Sequence, residues 1–203
     1  KLLRPLTPEE RQAWMLDHKT NFHGVLVDTE FARKAKYVMG VVARRYNDQL
    51  ADTTGGAVGA VTEVGAIKDW LRDKGVDATA LDKTSVANLL DGDLSDEVRE
   101  VLEARQEAGK SSVAKLDRFI TLTSEDGRMR ENFMHHGANT GRLAGKGAQL
   151  QNLPSRGGLK WKDAEKVIAL VREMDGEDDA EWAADMIELF HGSVPTAISS
   201  CLR

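Results

Sequence analysis

Much that would direct a reading of this 203-residue chain is scarce or missing. Cysteine occurs once, as Cys201, which excludes an internal disulfide and a cysteine-rich zinc site. A reducing, cytoplasmic setting fits that usage. The five histidines, His18, His23, His135, His136 and His191, show no metal-ligand spacing and read as surface or hydrogen-bonded residues. Aromatic residues are sparse at 5%, and there are only four prolines. No apolar run approaches the roughly 20 residues that span a bilayer. The opening Lys1-Leu2-Leu3-Arg4-Pro5 is too short and too polar for a signal peptide, and it lacks an initiating Met. That start suggests a cut or processed piece of a larger protein. Internal repeats and low-complexity tracts are absent.

What is present is an ordinary globular balance, 41% hydrophobic and 30% charged, with length enough for one large domain or two small ones. The formal net charge is −5. That value hides a basic middle. From Arg105 to Lys162 the cations are Arg105, Lys110, Lys115, Arg118, Arg128, Arg130, Arg142, Lys146, Arg156, Lys160 and Lys162, against Glu107, Asp117, Glu125, Asp126 and Glu131. The stretch from Asp163 to His191 is acidic. Distribution of this kind says more about partners than the sum does.

Helical periodicity dominates. Thr7-Pro8-Glu9-Glu10 is a helix start, with a threonine cap, proline at the first helical position and acids at the positive end of the dipole. That helix is predicted to reach about Lys19 and to stop near Gly24. Val25-Leu26-Val27 is a short apolar piece. A long helix is predicted from Glu30 to Asp52, with Phe31, Ala35, Val38, Val42 and Tyr46 on one face. Further helices are predicted over Glu63–Lys74, Lys83–Leu90, Ser95 to about Leu122 as one long element, Lys162–Met174 and Asp178–Phe190, with another starting at Ser193. Arg128 to His136 is predicted as an extended strand.

The run from His135 to Arg156 is basic and glycine-rich, with three amide side chains at Gln149, Gln151 and Asn152, and it holds no acid. A phosphate-binding P-loop is excluded, because Gly141 and Gly145 are separated by three residues and Gly147 follows Lys146. A Gly-x-Ser-x-Gly elbow and a paired carboxylate near the run are also lacking. His135-His136 offers a base in principle, but neighbours on a strand point to opposite faces. Arg142 can donate to minor-groove acceptors, which recur at similar positions in every base pair. The amides can donate and accept, and the glycines allow close approach to phosphate. On this chemistry alone, duplex binding and an unliganded surface loop stand equally open.

Thr140-Gly141-Arg142, followed nine residues after the arginine by Gln151-Asn152-Leu153-Pro154, resembles the signature of family A DNA polymerases, the DNA polymerase I type. The form His-Gly-Ala-x-Thr-Gly-Arg-x-Ala-Gly with Gln-x-Gln-Asn-Leu-Pro is similar to the bacteriophage and prophage branch. Gly24-Val25-Leu26-Val27-Asp28 resembles the segment after the exonuclease domain. The stretches Ile67–Val76, Lys83–Leu90 and Val101–Leu116 resemble thumb helices, and Val194–Arg203 resembles the helix before the first catalytic motif.

The resemblance implies a mainly α fold with a small β part. Residues 1–28 would follow an exonuclease domain, 29–125 would form a helical thumb, and 126–203 would begin a palm. It implies template-directed nucleotidyl transfer with two Mg2+ ions held by aspartates. Those aspartates, the fingers and the proofreading exonuclease have no counterpart in these residues. The expected role is therefore to bind primer–template DNA, with no polymerisation by this chain alone and no metal bound to it. Arg142 is expected at the minor groove, Gln151, Asn152 and Thr140 at the primer–template, and Arg156 near the nascent pair. Lys146 is expected on the duplex as well, and Lys110 and Lys115 on its backbone. Gln149 departs from an asparagine common in the cellular branch. The intact enzyme would use dNTPs, and a second chain could carry the rest of the palm and fingers. The expected setting is the bacterial cytoplasm, including as the product of a phage gene. The alternatives are one half of a split polymerase, a non-enzymatic DNA-binding accessory module and a structural helical protein with a basic loop. The acidic helices over 163–191 would be an interaction surface or solvated faces.

Overall fold

The computed structural model describes residues 5–108, 112–135, 137, 142–153 and 158–202. Among them are nine α-helices, four two-residue strands and one 3-10 turn, the mainly α fold with a small β part that the periodicity predicts.

The organising element is α2, Thr29–Thr54. Asp28 caps it, its carboxylate accepting from the Phe31 amide at 2.9 Å. Gly55, with φ of 63°, ends it in the left-handed conformation that glycine adopts most easily. At 26 residues the helix is about 39 Å long, long enough to serve two cores. Its first half buries Phe31, Ala35, Val38 and Val42 against α6 (Ser112–Leu122), α7 (Trp161–Glu173), α8 (Ala180–His191) and α9 (Val194–Ser200). Its second half contributes Leu50 to a separate core with α3 (Val64–Asp73), α4 (Lys83–Leu90) and α5 (Asp96–Ala108). Ile67, Leu71, Val101 and Leu102 are fully buried there. Tyr46 packs against both cores. Burial pushes its phenol up to about 12, with the Glu107 and Glu188 carboxylates adding to the shift.

The N-terminal helix α1, Pro8–His23, forms for local reasons. The Thr7 hydroxyl accepts from the Glu10 amide at 3.2 Å, and the Glu10 carboxylate accepts from the Thr7 amide at 2.8 Å. The helix runs four residues past the expected end, up to the Gly24 stop, because Lys19–His23 contains no breaker. None of its side chains is buried.

The helix expected from Ser95 to Leu122 is described as α5 and α6, and residues 109–111 between them lie outside the described residues. One predicted element differs. The strand expected over Arg128–His136 is two pieces. β2, Arg128–Met129, pairs antiparallel with β1, Val25–Leu26, with Val25 opposite Met129. β3, Phe133–Met134, pairs antiparallel with β4, Ala144–Gly145, with Phe133 opposite Gly145. Between them Glu131 has φ of 55°, which a continuous strand cannot accommodate.

Candidate nucleic-acid interface

The described part of the glycine-rich run joins the fold through a strand pair and a docked turn. Strand β4 of the run pairs antiparallel with β3 just before it. The pair is held at its base. The Asn21 side chain on α1 donates to the Phe133 carbonyl at 2.9 Å and accepts from the Phe133 amide at 3.0 Å, pairing with β3 as a neighbouring strand would. Asn132, buried, donates to the Met129 carbonyl at 2.6 Å, and its own carbonyl accepts from the Lys146 amide at 2.7 Å. Sequence reading missed both asparagines. Each acts through a backbone group distant in sequence or around a kink, and residue spacing carries no sign of it.

After β4 the chain turns back on α6. Gln149 takes the left-handed conformation, φ 49°, and leads into the 3-10 turn Leu150–Asn152. Ala148 is buried in the first core, and Leu150 and Leu153 pack against it. These apolar anchors leave Gln149, Gln151 and Asn152 exposed. The Asn152 side chain donates to the Gln149 side-chain carbonyl at 2.9 Å. Lys115 Nζ, on α6, donates to the Asn152 backbone carbonyl at 2.8 Å. The Gln151 side-chain amide lies directly over Gly145, in space that a Cβ would occupy, so a larger residue there would have to displace this exposed side chain.

The structure thus gathers Lys115, Gln149, Gln151, Asn152 and strand β4 into one surface. Arg142 precedes β4 by two residues and Lys146 follows it by one, and both are exposed. The Lys115 ammonium, expected to face a duplex backbone, is engaged with a protein carbonyl. Thr140, Arg156 and Lys110 lie outside the described residues.

Several cations of the basic middle are committed within the chain. Arg130 donates to Asp126 at 2.9 Å and to the Phe22 carbonyl at 2.8 Å. The Arg130 guanidinium holds the Asp126 carboxyl down at about 2. Arg128 reaches toward the carbonyls of His23 and Gly24 at 3.5 Å. Asp117, an acid of the same stretch, is paired with Lys36 at 2.6 Å. Arg142 and Lys146, on either side of β4, are exposed positive charge, whose position suits an anion.

Asp179 and Asp175 behave as a loop and helix start, the Asp179 carboxylate accepting from the Asp175 amide at 2.7 Å. Among the described residues no group of three or more His, Cys, Asp or Glu is placed to hold a metal ion. No described helix is long and apolar enough to cross a membrane.

Over 200 residues the chain is 30% identical to a DNA polymerase of Bacillus phage SP02, an alignment that takes in 96% of this chain and 28% of that protein. The chain therefore spans less than a third of the length of this relative. No protein-family model matches the chain, and no solved structure matches it. The similarity relates the chain to DNA polymerases at a distance.

Proposed function

We propose that these residues are the primer–template-binding part of a family A DNA polymerase of the phage branch. In this reading residues 29–125 are the thumb and 126–203 the start of the palm. The observation that supports it most is the collinear similarity to a phage DNA polymerase across nearly the whole chain. It coincides with a surface on which Arg142, Lys146, Gln151 and Asn152 are all exposed around one hairpin and one turn.

The chemistry of the surface is that of a geometry reader. An arginine beside a glycine-rich loop can reach minor-groove acceptors, which are near-degenerate between base pairs. Exposed amides can follow sugar and base edges without choosing a sequence. Contacts of this kind hold a primer terminus in register whatever the template reads. Thr140 and Arg156 join the same reading through their places in and beside the motif, and Lys110 through its match to a thumb position. The metal-binding aspartates, the Mg2+ ions they hold and the dNTP site belong, in this reading, to sequence beyond these 203 residues. The chain alone then binds DNA without polymerising it, and a second chain could supply the remainder.

The test is binding of a labelled primer–template by the 203-residue chain across a salt series. Binding should weaken steeply with salt, as counterion release requires. Arg142→Ala should weaken it about tenfold, the order of one good groove contact, with equal loss on unrelated sequences. No duplex binding at low salt would remove the proposal. Robust nucleotide incorporation by the pure chain would remove the assignment of catalysis to other sequence.

A further inference from the structure

We infer that Asn21 is a positioning residue for the proposed duplex-binding surface. It closes the outer edge of β3 and so sets where the β3–β4 pair places Lys146, Arg142 and Gln151. The inference rests on the duplex-binding reading above and adds to it a dependence on α1, a helix with no contact to DNA in that reading.

Successive residues of an antiparallel strand direct their backbone groups to opposite edges. The inner edge of this segment faces β4. There the Asn132 carbonyl accepts from the Lys146 amide at 2.7 Å, and Phe133 stands opposite Gly145. The backbone groups of Phe133 point the other way. Its amide donates to Asn21 Oδ1 at 3.0 Å, and its carbonyl accepts from Asn21 Nδ2 at 2.9 Å. Two residues earlier the Glu131 amide donates to the Asn21 backbone carbonyl at 3.2 Å. One residue of α1 therefore supplies the three hydrogen bonds that a third strand would give this edge.

The pair depends on that edge because its own ladder is short. β3 and β4 are two residues each, in a sheet of two strands, and an isolated two-stranded ribbon is marginal in water. The placement of β3 passes directly to the residues proposed to meet DNA. Gly145, opposite Phe133, lies under the Gln151 side chain. Lys146 follows it, and Arg142 precedes β4 by two residues. Helix α1 can serve this purpose alone. None of its side chains is buried, and it contributes no residue to either core. Its last turn is tied down by Asn21 and by Arg130 Nε, which donates to the Phe22 carbonyl at 2.8 Å. A change at Asn21 therefore reaches the strand pair without reaching the cores.

Asn21→Ala removes both side-chain bonds, and because alanine favours helix more than asparagine it leaves α1 intact. Amide hydrogen exchange on the 203-residue chain should show Phe133 and Lys146 exchanging at least about tenfold faster, the order of two lost hydrogen bonds. Amides of the buried α2 residues Val38 and Val41 should keep their rates. Primer–template binding at low salt should weaken about fivefold. In an Arg142→Ala background the same change should cost only about twofold, since residues that act through one another are not additive. Thr7→Ala, which removes the cap of α1 at its far end, should change neither exchange at Phe133 nor binding. Unchanged exchange at Phe133 and Lys146 would overturn the role of Asn21 and leave the duplex-binding reading in place. Full additivity with Arg142→Ala, an equal loss from Thr7→Ala, or faster exchange throughout α2 would also overturn it, the last by making Asn21 a support of the whole fold. No binding by the unaltered chain would remove the duplex-binding reading itself, and with it the part of Asn21 in binding, whatever the exchange rates show.

Discussion

Replacing Lys115 with alanine separates two roles for a lysine beside the loop proposed to bind a duplex. A lysine that contacts phosphate and a lysine that positions a loop both reduce affinity when removed, but only the first changes how affinity depends on salt. In the structure Lys115 Nζ donates to the Asn152 carbonyl at 2.8 Å and holds the Leu150–Asn152 turn against α6. A hydrogen bond from a charged donor contributes about 1.5–3 kcal/mol when well shielded. This one is exposed, so about 1 kcal/mol is the appropriate scale, near a fivefold change in an equilibrium constant. Lys115→Ala should therefore weaken primer–template binding about fivefold, by loosening the placement of Gln151 and Asn152. Fluorescence anisotropy between about 50 and 200 mM salt gives the slope of log affinity against log salt. That slope should match the unaltered chain. A slope shallower by about 0.9, the signature of one lost phosphate contact, would refute the positioning role and restore the expected backbone contact.

Other perturbations test the scaffold. Gly24 has φ of 72° and ψ of −178°, and a Cβ there would lie 2.7 Å from the Met129 carbonyl oxygen; Gly24→Ala should cost about 2–3 kcal/mol in urea unfolding, since this backbone region is essentially open only to glycine, and a loss under 0.5 kcal/mol would contradict the geometry. Burial pushes the Asp28 carboxyl up, but the Phe31 amide and the Arg172 guanidinium outweigh it and the group lies below its ordinary value. Its contribution is therefore complete above the unfolded value near 3.9 and is lost as pH falls through and below it; Asp28→Asn should flatten stability between about pH 5 and 2, and an unchanged acid profile would count against the Asp28–Arg172 link between α2 and α7. Leu71 and Ile187 are fully buried in different cores; each change to alanine should cost about 2–5 kcal/mol, and the double variant should equal the sum within about 0.5 kcal/mol, whereas a large coupling energy would mean that the cores are one.

The helices were legible wherever the signal was local. Thr7 with Pro8 and Glu10, the apolar face of α2, and the paired amphipathic segments α7 and α8 all follow from capping chemistry and a 3.6-residue period. The chemical character of the glycine-rich run was legible too, through its composition and the spacing from Arg142 to Gln151. Other features depend on partners far along the chain. The Arg128–His136 strand breaks at Glu131 because β2 must pair with β1 while β3 pairs with β4. Asn21 is an ordinary polar residue of α1 until Phe133 is brought beside it, 112 positions away.

By itself, then, the sequence determined the helical content, the basic and acidic territories and the glycine-rich, amide-rich character of one loop, because propensity, periodicity and charge are properties of neighbouring residues. Tertiary structure alone decided that Lys115 serves a carbonyl, that Arg128 and Arg130 are used internally, that Gln151 rests on Gly145, and that Asn21 closes the outer edge of β3. Those outcomes depend on which surfaces are packed together, and no local pattern encodes that.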